Sequence, residues 1–251
     1  KESTRTRVSF TIGMLKLGGE VINLLEKEIG FGKREAEDDI LKTLSQYIEC
    51  LVIRNNDHKK IKYYASLNIL PIINGLSEYS HPCQILSDIF TIEEKLGKIN
   101  SKQICWIGDF NNVLRSLIQA QKIFKFKLNV VMPSKIISKS KKEINQNNSS
   151  LINFTSDLYK GIFESDCVMT DVWISMGEKN KAKKIHFKKY QVNQNVMKLA
   201  KKNAIFMHCL PAHRGEEVTN EVIDGPQSVV WNQAQNRIYT QQAILNYILN
   251  D

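Results

Sequence analysis

The sequence predicts an α/β protein of two domains, each a parallel sheet flanked by helices, with the binding site in the cleft between them. Three observations carry this expectation. Short runs rich in Val, Ile, Cys and Met are near-continuous rather than alternating, as in strands covered on both faces. Longer segments with helical spacing separate them, which implies right-handed βαβ units. At 251 residues and 42% apolar, the chain has enough material for two modest cores.

The first helix is expected over 5–17, where Val8, Phe10, Ile12, Met14, Leu15 and Leu17 set the spacing and Gly18-Gly19 closes it. A second is expected over 36–48. ECLVIR (49–54) then reads as a strand, 58–67 as a helix and LPIING (70–75) as the next strand. Pro82 suits the first turn of a helix over 81–96, which Gly97 ends. Strands at KQICWIGD (102–109) and KLNVVMP (127–133) flank a helix at 111–124. The remaining strands are expected at DCVMTDVW (166–173), AIFMHCLP (204–211) and SVVW (228–231), with helices at 192–202 and 234–249. The two sheets join near ILSDIFTIEEKLG (85–97), and the last helix folds back over the first unit. This divides the chain into a first domain, 1–90 with 234–251, and a second, 91–233.

Composition narrows the function classes. No run of about 18 apolar residues is present, so a membrane partner is not expected, and the start lacks a signal peptide's apolar core. Cys50, Cys83, Cys105, Cys167 and Cys209 are odd in number and far apart, which fits a reducing, cytoplasmic setting. The net charge of +9 raises a nucleic-acid reading. The lysines, however, gather in KIISKSKKEINQN (135–147) and EKNKAKKIHFKKY (178–190), without interleaved aromatics. They read as solvated faces, and no nucleic-acid partner is expected.

Parallel α/β sheets bind ligands beyond the carboxyl ends of their strands. STRTR (3–7) stands at a helix start, where free amides, the helix dipole and forked guanidiniums suit an anion. A plain helix cap beside exposed arginines is the alternative. Arg54 ends a buried run and calls for an anion nearby. His81 and Gln84 begin a helix after LPIINGLSEYS. Asp109, Asn111 and Asn112 follow one strand, and Asp171, Ser175 and Met176 another. Cations on one side, with carboxylates and amides on the other, suggest two substrates of unlike charge. In HCLPAHRGEEV (208–218), His208, Cys209 and His213 read as metal ligands, or Cys209 as a nucleophile, or Cys209 as a packed strand-end thiol. Spacing and the opposite facing of strand neighbours count against the first two.

STRTR, the LGG of LKLGG, IINGLS, HPCQ, GDFNNV, TDVWISMG, HCLPAHRGEEV, DGPQSVV and AQNR occur in the order found in ornithine carbamoyltransferases. The chain resembles that family from residue 1 to its last helix. STRTR and HPxQ are shared by carbamoyltransferases generally, whereas DVWISMG with HCLPAHRGEEV is similar to the ornithine branch. The resemblance implies transfer of a carbamoyl group from carbamoyl phosphate to the δ-amine of L-ornithine, with no cofactor, no metal and no covalent intermediate, in arginine or urea-type metabolism and in a homotrimer. It implies that Ser3, Thr4, Arg5 and Thr6 bind phosphate, that Arg54, His81 and Gln84 hold the carbamoyl end, and that Cys209, Leu210 and Arg237 complete that subsite. Asn112, Asp171, Ser175, Met176 and Cys209 would contact ornithine. Arg54, His81, Asp171 and Cys209 would act in catalysis. Two alternatives remain: another amine such as putrescine, or an inactive binding paralogue.

Some positions depart from the family pattern. Gly30 stands where the family often carries a Gln or His that reaches a neighbouring subunit's carbamoyl phosphate, Ile40 replaces a Thr, and Thr11 a Glu. Relatives carry a helix and a strand ahead of STRTR. Without them, the first sheet is expected to expose an edge and apolar surface.

Overall fold

The computed structural model describes residues 4–30, 35–146, 149–174 and 181–250. Ser3, Ser175 and Met176, all expected substrate contacts, lie outside the described residues. Two compact units form, Lys1–Ser87 with Asn236–Asp251, and Asp88–Gln235.

The first unit holds α1 (Thr4–Lys16), α2 (Glu26–Ile29), α3 (Glu37–Leu44), β1 (Leu51–Arg54), α4 (His58–Ser66) and β2 (Ile72–Leu76). It also takes the start of α5 (Pro82–Leu96). Gly18 has φ 86 and ends α1 with its N–H on the Leu15 carbonyl, the left-handed closure that glycine permits. Asp57 caps α4 by accepting from the Lys59 and Lys60 amides. β1 and β2 pair in parallel, with Leu51 opposite Ile72. Phe10 of α1, Ile73 of β2, Cys83 of α5 and Leu245 pack into one cluster; Leu41, Tyr64 and Leu70 form another. Ile40, the departure from a family Thr, is 5% exposed and adds to this apolar interior. Gly30 has φ 66, so a side chain at that departure would meet a strained backbone.

The second unit continues with β3 (Gln103–Ile107), α6 (Asn112–Phe124), β4 (Lys127–Val131), α7 (Ser134–Lys139), α8 (Lys141–Gln146) and β5 (Ile152–Thr155). Next come α9 (Leu158–Ile162), β6 (Cys167–Thr170), α10 (Gln194–Met197), β7 (Ile205–His208) and α11 (Asn220–Ile223). α12 (Val230–Asn250) starts in this unit and ends in the first. Five strands run parallel in the order β5-β4-β3-β6-β7. The chain builds outward from β3 to β5, then returns to place β6 on the other side of β3. That reversal makes a topological switch point between β3 and β6. Trp106, Ile107, Val131, Val168 and Phe206 are fully buried, as strands covered on both faces require. No helix among the described residues is long and apolar enough to cross a membrane.

Three local expectations change. SVVW is not a strand: Ser228 makes one bridge to Phe206, and the chain enters α12 at Val230. The helix expected over 192–202 shrinks to α10, capped by Asn193. β5 was not anticipated, because INFT buries only Ile152 fully at the sheet edge.

Candidate active site

In the first unit, two arginines converge on one hydroxyl in the first turn of α1. The Arg54 guanidinium donates to Thr6 Oγ1 at 3.0 Å. Arg237 donates to the same oxygen at 3.2 Å and to Gln84 Oε1 at 2.7 Å. The register of β1 against β2 shifts between Ile53 and Arg54, and such a bulge re-aims the side chain that follows it. Gly75 lets α1 approach the sheet: a Cβ there would lie 3.4 Å from Thr6 Cγ2 and 3.2 Å from the Ile53 carbonyl. Thr6 is 4% exposed, Gln84 2% and Arg237 4%. Two guanidiniums on one neutral acceptor bring like charges close together. An anion at the α1 start relieves that repulsion and meets first-turn amides as well. Thr4 and Arg5 are exposed at the same helix start.

His81 is 6% exposed and stands one residue before α5. The turn ahead of it is tied through Ser77 Oγ, which takes the Tyr79 and Ser80 amides at 3.3 and 3.0 Å and meets His58 Nδ1 at 2.8 Å. Cys83 gives its thiol to the Asn74 carbonyl at 3.4 Å. Burial pushes that thiol up to about 11, with Arg237 opposing the shift.

In the second unit, the switch point gathers polar groups from three strand ends. Thr170 lies opposite Ile107 on one side and His208 on the other, so the following residues, Asp171 and Cys209, emerge side by side. Cys209 Sγ donates to Asp171 Oδ1 at 3.3 Å. Asn111 Nδ2 donates to Asp171 Oδ2 at 2.7 Å, while Asn111 Oδ1 caps α6 by accepting from Val113 and Leu114. Both carboxylate oxygens are thus aimed, and Asp171 is 8% exposed. A carboxylate oriented in this way suits an ammonium group. Asn112, the expected ornithine contact, is the first residue of α6 and half-buried. Leu210 is half-buried and packs against the core of this unit.

Two residues go beyond the sequence reading. Asn111 reads there as a strand end without a role, although its position before a helical run signals a cap. Lys183 reads as part of a solvated lysine face. It instead pairs with Asp109 Oδ2 at 2.5 Å, and both side chains are largely buried.

Asp171, His208 and Cys209 also bring ligand-type atoms within 4.8 Å of one another. Both imidazole nitrogens of His208 are engaged, Nδ1 by the Leu210 amide and Nε2 by Glu217, so the ring has no lone pair left for an ion.

Residues 1–94 match the model for the carbamoyl-P binding domain of aspartate/ornithine carbamoyltransferase, and residues 100–248 that for its Asp/Orn binding domain. The chain belongs to the aspartate/ornithine carbamoyltransferase family. An ornithine carbamoyltransferase of Brucella suis is 47% identical over all of this chain and 81% of its own length. Among solved structures, the ornithine carbamoyltransferase of Pyrococcus furiosus is 40% identical, with a TM-score of 0.89 over 100% of this chain and 82% of its own. That of Burkholderia thailandensis has a TM-score of 0.89 at 38% identity, covering 99% of this chain and 82% of its own. Thr6 and Arg54 fall in the carbamoyl-P binding match, whereas Arg237 and Asp171 fall in the Asp/Orn binding match.

Proposed function

We propose that this chain transfers the carbamoyl group of carbamoyl phosphate to the δ-amine of L-ornithine, giving L-citrulline and phosphate. The observation that carries the reading is the Asp171 carboxylate, held by Asn111 and Cys209 at the switch point. An acceptor of that charge suits the amine end of ornithine and repels a second carboxylate such as aspartate's side chain. Residues 1–90 with 234–251 bind carbamoyl phosphate, and 91–233 bind ornithine.

Ser3, Thr4, Arg5 and Thr6 receive the phosphate at the start of α1. Arg54, His81 and Gln84 hold the carbamoyl end, joined by Cys209, Leu210 and Arg237. Asn112, Asp171, Ser175, Met176 and Cys209 contact ornithine, Asp171 at the ammonium. The ornithine ammonium first loses a proton, and Asp171 with Cys209 selects the amine and draws that proton off. The neutral amine then attacks the carbonyl carbon directly. Arg54 and His81 stabilise charge developing on the carbonyl oxygen, and as the bond to the phosphate oxygen breaks a second amine proton leaves with the phosphate. The protein works in the cytoplasm as a homotrimer, in arginine metabolism.

Incubation with carbamoyl phosphate and ornithine, putrescine or aspartate tests the reading. Citrulline from ornithine supports it. Product from putrescine alone, or no product with any of the three amines, overturns it.

A further inference from the structure

We propose that His208 and Glu217 form a positioning pair that sets the Cys209–Leu210 turn; the proposal rests on the reading of this turn as part of the carbamoyl-transfer site. β7 ends at His208, whose side chain is buried at 1% exposure. Cys209 opens the turn beyond the strand. Cys209 meets Asp171, while His208 turns inward and meets Glu217, which is 0% exposed.

The hydrogen bonds define the ring's proton. The Leu210 N–H donates to His208 Nδ1 at 2.8 Å, and an amide can only donate. Nδ1 therefore keeps its lone pair, and the ring proton sits on Nε2, aimed at Glu217 Oε1 at 3.1 Å. The same carboxylate oxygen accepts the His213 N–H at 2.6 Å, which closes the loop from 208 to 217 on itself. On the backbone side, Gln233 Oε1 takes the His208 N–H at 3.0 Å, and Gln233 Nε2 donates to Asp88 at 2.7 Å. Both neighbours of Cys209 are pinned.

Leu210 needs this support. Its φ is 57, a left-handed backbone that costs a residue with a Cβ roughly 1–3 kcal/mol and persists only where surrounding contacts hold it. The His208 ring supplies one such contact to that peptide. In the other tautomer, Nδ1–H would face the Leu210 N–H, two donors opposed, and the turn would open.

Two substitutions separate the ring's two bonds. Asn at 208 keeps an acceptor at the δ position for the Leu210 amide and loses the Glu217 contact. His208→Gln keeps a donor in the ε position for Glu217 and loses the δ acceptor, leaving the part-buried Leu210 N–H without that acceptor. His208→Gln is expected to lower kcat for citrulline by roughly 2- to 10-fold, the equivalent of one lost hydrogen bond, and His208→Asn by less. A merely structural role predicts the reverse order, because Asn leaves the larger void. In parallel, the rate of Cys209 alkylation by iodoacetamide, read by peptide mass spectrometry, should change in His208→Gln and remain near wild type in His208→Asn. Nitrogen-15 NMR of the wild-type protein, labelled on histidine, supplies a readout that needs neither variant to fold: a one-bond proton coupling at Nε2 and none at Nδ1. Equal kcat losses that track melting temperature, unchanged Cys209 alkylation in His208→Gln, or a proton on Nδ1 would overturn the positioning pair. A wild-type protein that makes no citrulline would instead refute the reading of function, and the alkylation and NMR results would still decide the pair.

Discussion

Asn111 performs two tasks with one amide, and Asn111→Ser separates them. Its Oδ1 caps α6, at 3.0 Å from the Val113 amide and 3.1 Å from that of Leu114, while Nδ2 orients Asp171 at 2.7 Å. Serine caps about as well as asparagine, so helix stability changes by only a few tenths of a kcal/mol. Its side chain is too short to replace the donor at Asp171. A hydrogen bond to a charged partner contributes about 1.5–3 kcal/mol, and each 1.36 kcal/mol is tenfold. Asn111→Ser should therefore lower kcat/KM for ornithine by roughly 10- to 150-fold. The KM for carbamoyl phosphate and the melting temperature should hold. Asn111→Asp keeps the cap but replaces the donor with a second carboxyl against Asp171, so its loss should be deeper than that of Asn111→Ser. The assay is citrulline formation with each substrate varied in turn. An unchanged kcat/KM for ornithine in Asn111→Ser, or a collapse of both substrate affinities together with melting temperature, would refute the two-task account.

Thr6→Val removes the acceptor shared by Arg54 and Arg237 without changing side-chain size; it should raise the KM for carbamoyl phosphate and leave that for ornithine nearly unchanged. Gly161→Ala would bring a Cβ to 2.1 Å from Val131 Cγ2 under α9, so denaturant titration should show a loss of about 1–3 kcal/mol from overpacking. Iodoacetamide at pH 8 should label the partly exposed Cys209 and Cys50 and spare Cys83, Cys105 and Cys167, which are buried; desolvation raises all three thiols.

Much of the fold is legible in the sequence because burial on both faces forces strands into continuous apolar runs. ICWI and VMT are such runs, and both lie at the centre of the five-stranded sheet. INFT escaped notice since an edge strand buries one face weakly and keeps polar residues on the other. SVVW misled for the opposite reason: its β-branched residues begin α12, where Val229 and Val230 are buried by tertiary packing that outweighs local propensity. At the candidate site, strand ends identified Arg54, Asp171 and Cys209, since topology sends ligands there. What the linear pattern does not carry is pairing across sixty residues or more, such as Asn111 with Asp171 or Lys183 with Asp109. Nor does it distinguish a buried lysine from its solvated neighbours in a run of like charges.

The most direct test of the central claim is the amine dependence of phosphate release from carbamoyl phosphate, measured for the wild type beside Asp171→Asn. Ornithine-dependent release with stoichiometric citrulline, little release with putrescine or aspartate, and a large loss of ornithine turnover in Asp171→Asn are the predicted results. Release that proceeds equally well in Asp171→Asn, or that follows putrescine or aspartate instead of ornithine, would contradict the account.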